Sequence, residues 1–200
     1  MRTINDYIGI QPFTVVVDDS PELRILANKA RELRDQPFPE KLNKVKKLTL
    51  DAMVNAYEQM RVLETKGEVS EAEKFRGVVF EGHPLSYALQ EKAGCCRYQG
   101  ALFFVLGYEA DLGDQHYIQA TPISSRMSTV FNQVREGQKI HTVSIFCESV
   151  KDKRYDYTEG NPKIFDNPTQ RIPGLNFYLY HRKPKGLIII ENQEQHDESE

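Results

Sequence analysis

Cysteine is scarce in this chain, with three in 200 residues. Three is an odd number, and Cys95, Cys96 and Cys147 follow no zinc-like spacing. Adjacent cysteines rarely bridge each other, so a disulfide-stapled scaffold is excluded and the three read as free thiols of a reducing compartment. No cluster of His, Cys, Asp or Glu has metal-ligand spacing. Gly107 and Gly113 make no phosphate loop, so neither a metal nor any other cofactor is expected. Long apolar runs are missing too: none approaches the ~18 residues of a membrane span. The opening MRTINDYIGIQPF lacks the apolar stretch and small-residue cleavage site of a signal peptide. These absences predict a cytoplasmic protein without a membrane partner, although a leaderless secretion route would leave no mark. Charge of one sign is also lacking. A net charge of −3 and a pI near 6.0 argue against nucleic acid as a partner. The local basic cluster Lys41, Lys44, Lys46 and Lys47 is flanked by acidic residues and reads as the solvated face of a helix.

What is present suits one domain. Hydrophobic and charged shares of 40% and 28% are ordinary for a soluble globular chain, and the length is enough to bury a core unaided. No repeat or linker divides it. The predicted domain covers 1–192: an N-terminal strand and helix over 1–37, a helical part over 38–107 and an antiparallel sheet over 108–192. An acidic tail at 193–200 has nothing to bury and is predicted to be disordered. Residues 7–19 are β-rich, with Pro12 favouring an edge strand or extended arm. Ser20-Pro21-Glu22 reads as a helix start, and Leu23, Leu26, Ala27, Ala30 and Leu33 follow at helical spacing. Apolar residues from Leu42 to Leu63 trace one face of a long helix over about 40–65, ended by Lys66-Gly67. A short polar helix is expected from Ser70 to about Phe75. Another, LSYALQEKA, is capped by Gly94. Strand-like runs follow at 108–120, 129–135, 139–147, 175–182 and 187–191, separated by turn signals. Helices first and strands later give an α+β fold with N-terminal helices packed on an antiparallel β-sheet.

The segment GCCRYQGALFFVLGYEADL, residues 94–112, carries the chemistry. Ala101 to Leu106 are apolar without interruption, which marks a central helix. Its first turn holds Cys95 and Cys96, where unpaired N–H groups and the helix dipole favour thiolate over thiol. Gly94 and Gly100 beside them would let a substrate backbone approach. The same two cysteines also suit plain packing as small hydrophobes, and the helix-start position alone does not decide between these uses.

This segment resembles the nucleophile region of transglutaminase-like cysteine enzymes, whose pattern is a glycine, one residue, Cys-Arg, an apolar helix and a Gly-rich lead into the first strand. The resemblance covers about residues 40–160, and its specific part is short. In its register Cys96, followed by Arg97, takes the nucleophile position and Cys95 is the filler. It implies a papain-like core, a Cys-His-Asp/Asn arrangement and acyl transfer at an amide or peptide bond. The partner is then a peptide or protein substrate, or a small amide.

Such a thiolate needs a histidine and a group to orient it. His196 lies in the tail, His83 in a turn before Pro84, and His181 on a strand among tyrosines. His141, on the strand IHTVSIF with Asp156 on a returning strand, is placed ahead of His116, whose orienter would be Asn132. One departure stands against both. The hairpin TVFNQVREGQKIHTVSIF matches the family's histidine–aspartate hairpin best when Thr129 and Ser144 occupy those two positions. An inactive domain kept for protein or peptide binding is therefore the alternative function, and a redox sensor built on Cys95 and Cys96 is a third. The tyrosines Tyr155, Tyr157, Tyr178 and Tyr180 suit either a peptide groove or ordinary sheet packing.

Overall fold

A computed structural model describes residues 6–8, 15–122, 129–143 and 175–180. A short antiparallel hairpin of β1 (Asp6–Ile8) and β2 (Val15–Val17) leads into α1 (Pro21–Arg31). As the sequence predicts, Ser20 caps this helix by accepting the Leu23 N–H at 3.2 Å, and Pro21 opens it.

The long helix expected over 40–65 is two helices. α2 (Phe38–Ala52) stops where Met53 turns extended, β3 (Val54–Asn55) follows, and Asn55 caps α3 (Ala56–Lys66) by accepting the Glu58 N–H at 3.0 Å. The break is long-range in origin. β3 pairs in parallel with β4 (Ala93–Gly94), and Val54 N–H donates to the Lys92 carbonyl at 2.9 Å. Gly67 ends α3 at φ 80°, a left-handed cap that favours glycine. The next helix, α4 (Val69–Phe80), is twice the expected length, and α5 (Leu85–Gln90) ends before Gly94, which is a strand residue and not a cap.

The central helix α6 runs over Cys96–Glu109. Strand structure does not begin at 108: Tyr108 and Glu109 are still helical, and left-handed Asp111 and Gly113 turn the chain before β5 (Gln115–Pro122). β6 (Thr129–Glu136), β7 (Lys139–Val143) and β8 (Leu175–Tyr180) complete a four-stranded sheet in the order β7-β6-β5-β8, with every described pair antiparallel. The architecture is α+β, with helices ahead of the main sheet. The stretches 144–174 and 181–200 lie outside the described residues, and with them the expected strand at 187–191 and the tail. Pro12 lies outside them as well. No helix among the described residues is long and apolar enough to cross a membrane.

α6 lies in the core. Ala101, Leu102, Phe103, Phe104, Val105 and Leu106 are all buried, with α1 and α2 packed on one side and β5 and β6 on the other. Full burial of the Leu, Phe and Val side chains among them contributes roughly 1.5–3 kcal/mol each. Buried Glu109 at the end of α6 is held by Arg31 of α1 at 2.6 Å, and Arg34 donates to the Glu109 carbonyl at 2.8 Å. The basic cluster of α2 is only partly solvated. Lys41 is buried and donates to the Asp111 carbonyl at 3.1 Å, whereas Lys44 and Lys47 are exposed.

Candidate functional site

Cys95 is the N-cap of α6 and Cys96 its first helical residue, so both stand where the helix has unpaired N–H groups. Cys95 is 7% exposed and Cys96 half-buried; both are free thiols. They interact first of all with each other. The hydrogen bond from Cys96 lowers Cys95 from the usual 9.0 to about 7, against the opposing effect of burial. The Arg97 charge and the backbone N–H groups of Arg97 and Tyr98 lower it further. The same bond, then burial and the Cys95 charge, hold Cys96 well above 9.0, although the Val130 N–H and Arg97 pull it down. The pair therefore shares a proton as one unit, with the negative charge on Cys95. This order differs from the family register, in which Cys96 is the reactive thiol.

Arg97 explains where that charge is balanced. Its guanidinium is buried and donates to the Glu81 carbonyl, to the Val78 carbonyl at 3.4 Å and to the Tyr98 hydroxyl at 3.3 Å. These carbonyls close α4, whose C-terminal dipole suits a cation. Among the described residues Arg97 forms no ion pair with a carboxylate, and its Nε makes no hydrogen bond. Its charge acts on both thiols and lowers each of them. The phenols of Tyr98 and Tyr117 stand close enough to the thiols to feel their charge. Burial pushes both phenols up, and the Cys96 and Cys95 charges add to this at Tyr117. Gln99 donates to the Met53 carbonyl at 3.3 Å.

The glycines do not make room for a substrate. A Cβ on Gly94 would meet the Met53 sulfur, and one on Gly100 would lie 2.6 Å from a Val130 methyl and 3.2 Å from the Tyr117 ring. They let α6 approach its neighbours closely, a packing role.

The expected histidines are not brought to the thiols. Tyr117 faces α6, with its hydroxyl 3.5 Å from the Arg97 carbonyl, so neighbouring His116 points to the opposite face of the sheet. His116 stands beside Gln133, and Gln133 donates to Thr142 on that same face. Asn132 pairs with Tyr117 and donates to the Gly100 carbonyl at 3.1 Å, on the helix side. Asn132 therefore cannot orient His116. His141 does share the helix side, opposite Val134. However, Val130 is the residue that meets Cys96, and Val134 is four positions further along β6. At about 3.3 Å per residue that places His141 roughly 13 Å down the strand. Its Nε2 is held by Glu136 at 2.8 Å, its ring packs 5.2 Å from Phe38, and it lines a groove of about 290 Å³ between α2 and β7 with Lys46, Asn43 and Thr142. Asp156, Ser144, Cys147, His181 and His196 lie outside the described residues. β6 opens at Thr129, directly before the residue that touches Cys96.

Two members of the surroundings are not evident from sequence. Arg97 gains its role only when Val78 and Glu81 arrive from α4. His83, expected in a turn before Pro84, bonds through its backbone N–H to the Tyr98 hydroxyl at 3.1 Å, while its ring stacks on Tyr87 at 4.0 Å and meets Glu81 at 2.9 Å. No group of three or more His, Cys, Asp or Glu among the described residues could hold a metal. No family model, curated protein or solved structure matches this chain.

Proposed function

We propose that the chain is a cysteine-dependent acyl-transfer protein on a transglutaminase-like scaffold, with Cys95 as the nucleophilic thiolate and Cys96 as the thiol that stabilises it. The observation that carries this reading is the pair of adjacent free thiols at the head of a buried helix, beside a buried guanidinium without a carboxylate partner among the described residues. A nucleophilic cysteine needs a lowered pKa and an electropositive surrounding, and both are supplied here by named groups. The resemblance of residues 94–112 to that family is the second support. Selective modification of Cys95 by a haloacetamide at neutral pH tests the reading. Equal labelling of the folded and the unfolded chain would remove it.

A second reading has its own observation. Where the resembled enzymes carry their histidine, β6 begins with Thr129, next to the Val130 contact of Cys96. On that reading the domain is catalytically inactive and binds a protein or peptide. It predicts peptide binding unchanged by Cys95→Ala and Cys96→Ala, and binding lost in those variants would argue against it.

A further inference from the structure

Three of the four lysines in the basic cluster of α2 are engaged within the fold. Lys41 donates to the Asp111 carbonyl, Lys44 to Gln36 and Lys47 to Asp51. Lys46 is half-buried and lines the groove of about 290 Å³ between α2 and β7. Among the described residues it forms no ion pair. We propose that this groove binds a small monocarboxylate with an apolar body, the carboxylate on Lys46 and the body against Leu42 and Ile140.

Polar and apolar groups converge on the groove from two elements. Asn43 and Lys46 are three positions apart on α2 and so share a face. β7 meets the groove edge-on. The two-residue turn Gly137-Gln138 makes Glu136 and Lys139 a hydrogen-bonded pair, and such pairs alternate along an antiparallel ladder. The next is Val134 with His141, so the main-chain N–H groups of Ile140 and Thr142 point away from β6, along the edge that lines the groove. A carboxylate seated there meets an ammonium, an amide and a main-chain N–H, all donors that it accepts from. Leu42 and Ile140 add the apolar wall. A few convergent donors against an apolar wall are the usual make-up of a small-ligand site, and the volume lies at the small end for one.

The surrounding charges select a single negative charge on the ligand. Glu136 accepts from His141 Nε2 at 2.8 Å and so sets a carboxylate beside the histidine of the groove. Lys46 is then the cation available to a ligand, and one carboxylate matches it. The second charge of a phosphate would be opposed by Glu136. α2 reaches the groove through residues 42–46, past its first turn, so it does not offer the N–H cradle of a phosphate site. Phe38 packs 5.2 Å from the His141 ring and supports that wall. The groove is separate from the thiol pair, because His141 lies roughly 13 Å along β6 from the Val130 contact of Cys96.

The experiment titrates hexanoate, 1-hexanol and inorganic phosphate into the nitrogen-15-labelled full chain near neutral pH and follows the amide resonances of α2 and β7. Hexanoate is expected to saturate shifts at Lys46, His141 and Thr142, about tenfold more tightly than 1-hexanol, which lacks the charge. Lys46→Met keeps the unbranched stem and should weaken hexanoate about tenfold while leaving 1-hexanol unchanged. Lys46→Arg keeps the cation and should retain most of the binding. The comparison of hexanoate with 1-hexanol is made in the native chain, so it stands even where Lys46→Met fails to fold. Hexanoate bound no more tightly than 1-hexanol, or equally well by Lys46→Met, would overturn the proposal. Saturating shifts confined to other parts of the protein, phosphate bound more tightly than hexanoate, or groove resonances unmoved at millimolar hexanoate would overturn it too.

Discussion

Arg97 holds a positive charge in the core by spreading it over the carbonyls that close α4 and over the Cys95 thiolate. Arg97→Met removes the charge and leaves those carbonyls without their donor. The expected outcome is a stability loss of about 1–3 kcal/mol in urea denaturation. The pH of half-labelling at Cys95 should also rise by about one unit. Arg97→Lys should restore part of the second effect, because it keeps the cation without the planar fork. A Cys95 profile unmoved by Arg97→Met would separate the arginine from the thiol chemistry. The cysteines themselves were legible from sequence, since a Gly-Cys-Cys-Arg start before an uninterrupted apolar run marks a buried helix head. Their order of reactivity was not, because it depends on which sulfur receives the hydrogen bond. The histidines were hidden for a related reason: a strand residue changes face with a shift of one position, and the pairing of Tyr117 with Asn132 fixes that register.

At the scale of elements, α6 is placed by close contact and by one buried ion pair. Gly100→Ala would drive a Cβ to 2.6 Å from Val130, in a place bounded by a strand and the Tyr117 ring, and is expected to destabilise by about 1–3 kcal/mol. Gly94→Ala meets the end of the flexible Met53 side chain and should be milder; comparison of the two melting temperatures checks this order. Arg31→Ala leaves Glu109 buried with Arg34 at 3.8 Å as its remaining partner. The expected loss is about 3 kcal/mol, at the lower end for a broken buried pair, and Glu109→Gln in the same background should recover part of it. The helix periods of α1 and α6 could be read directly from their apolar residues. The interruption at 53–55 could not, because its cause is the strand pairing with Ala93 and Gly94, 39 positions away in register. The start of β5 is hidden in the sequence because Tyr108 to Leu112 alternate like a strand, whereas the helix continues through Glu109 under the hold of Arg31.

For the whole molecule, the thiol pair links stability to pH. Below about pH 7 both states keep both protons and the pair contributes nothing. Between about 7 and 9.0 the folded chain has lost the Cys95 proton while the unfolded chain retains it, so stability rises with pH. Above 9.0 the unfolded chain loses both protons while folded Cys96 keeps its own, so this contribution falls again. Relative to the Cys95→Ser/Cys96→Ser double variant, the wild-type melting temperature should therefore peak near pH 9, checked by thermal scans at matched ionic strength. The central claim, a thiolate on Cys95 near neutrality, is tested most directly by the pH dependence of iodoacetamide labelling, read at each cysteine by peptide mapping. The expected profile has Cys95 half-reactive near pH 7, with Cys96 silent until well above 9.0. The Cys95 midpoint should also move up in Cys96→Ala. A Cys95 midpoint near 9.0, or Cys96 reacting first, would contradict the account.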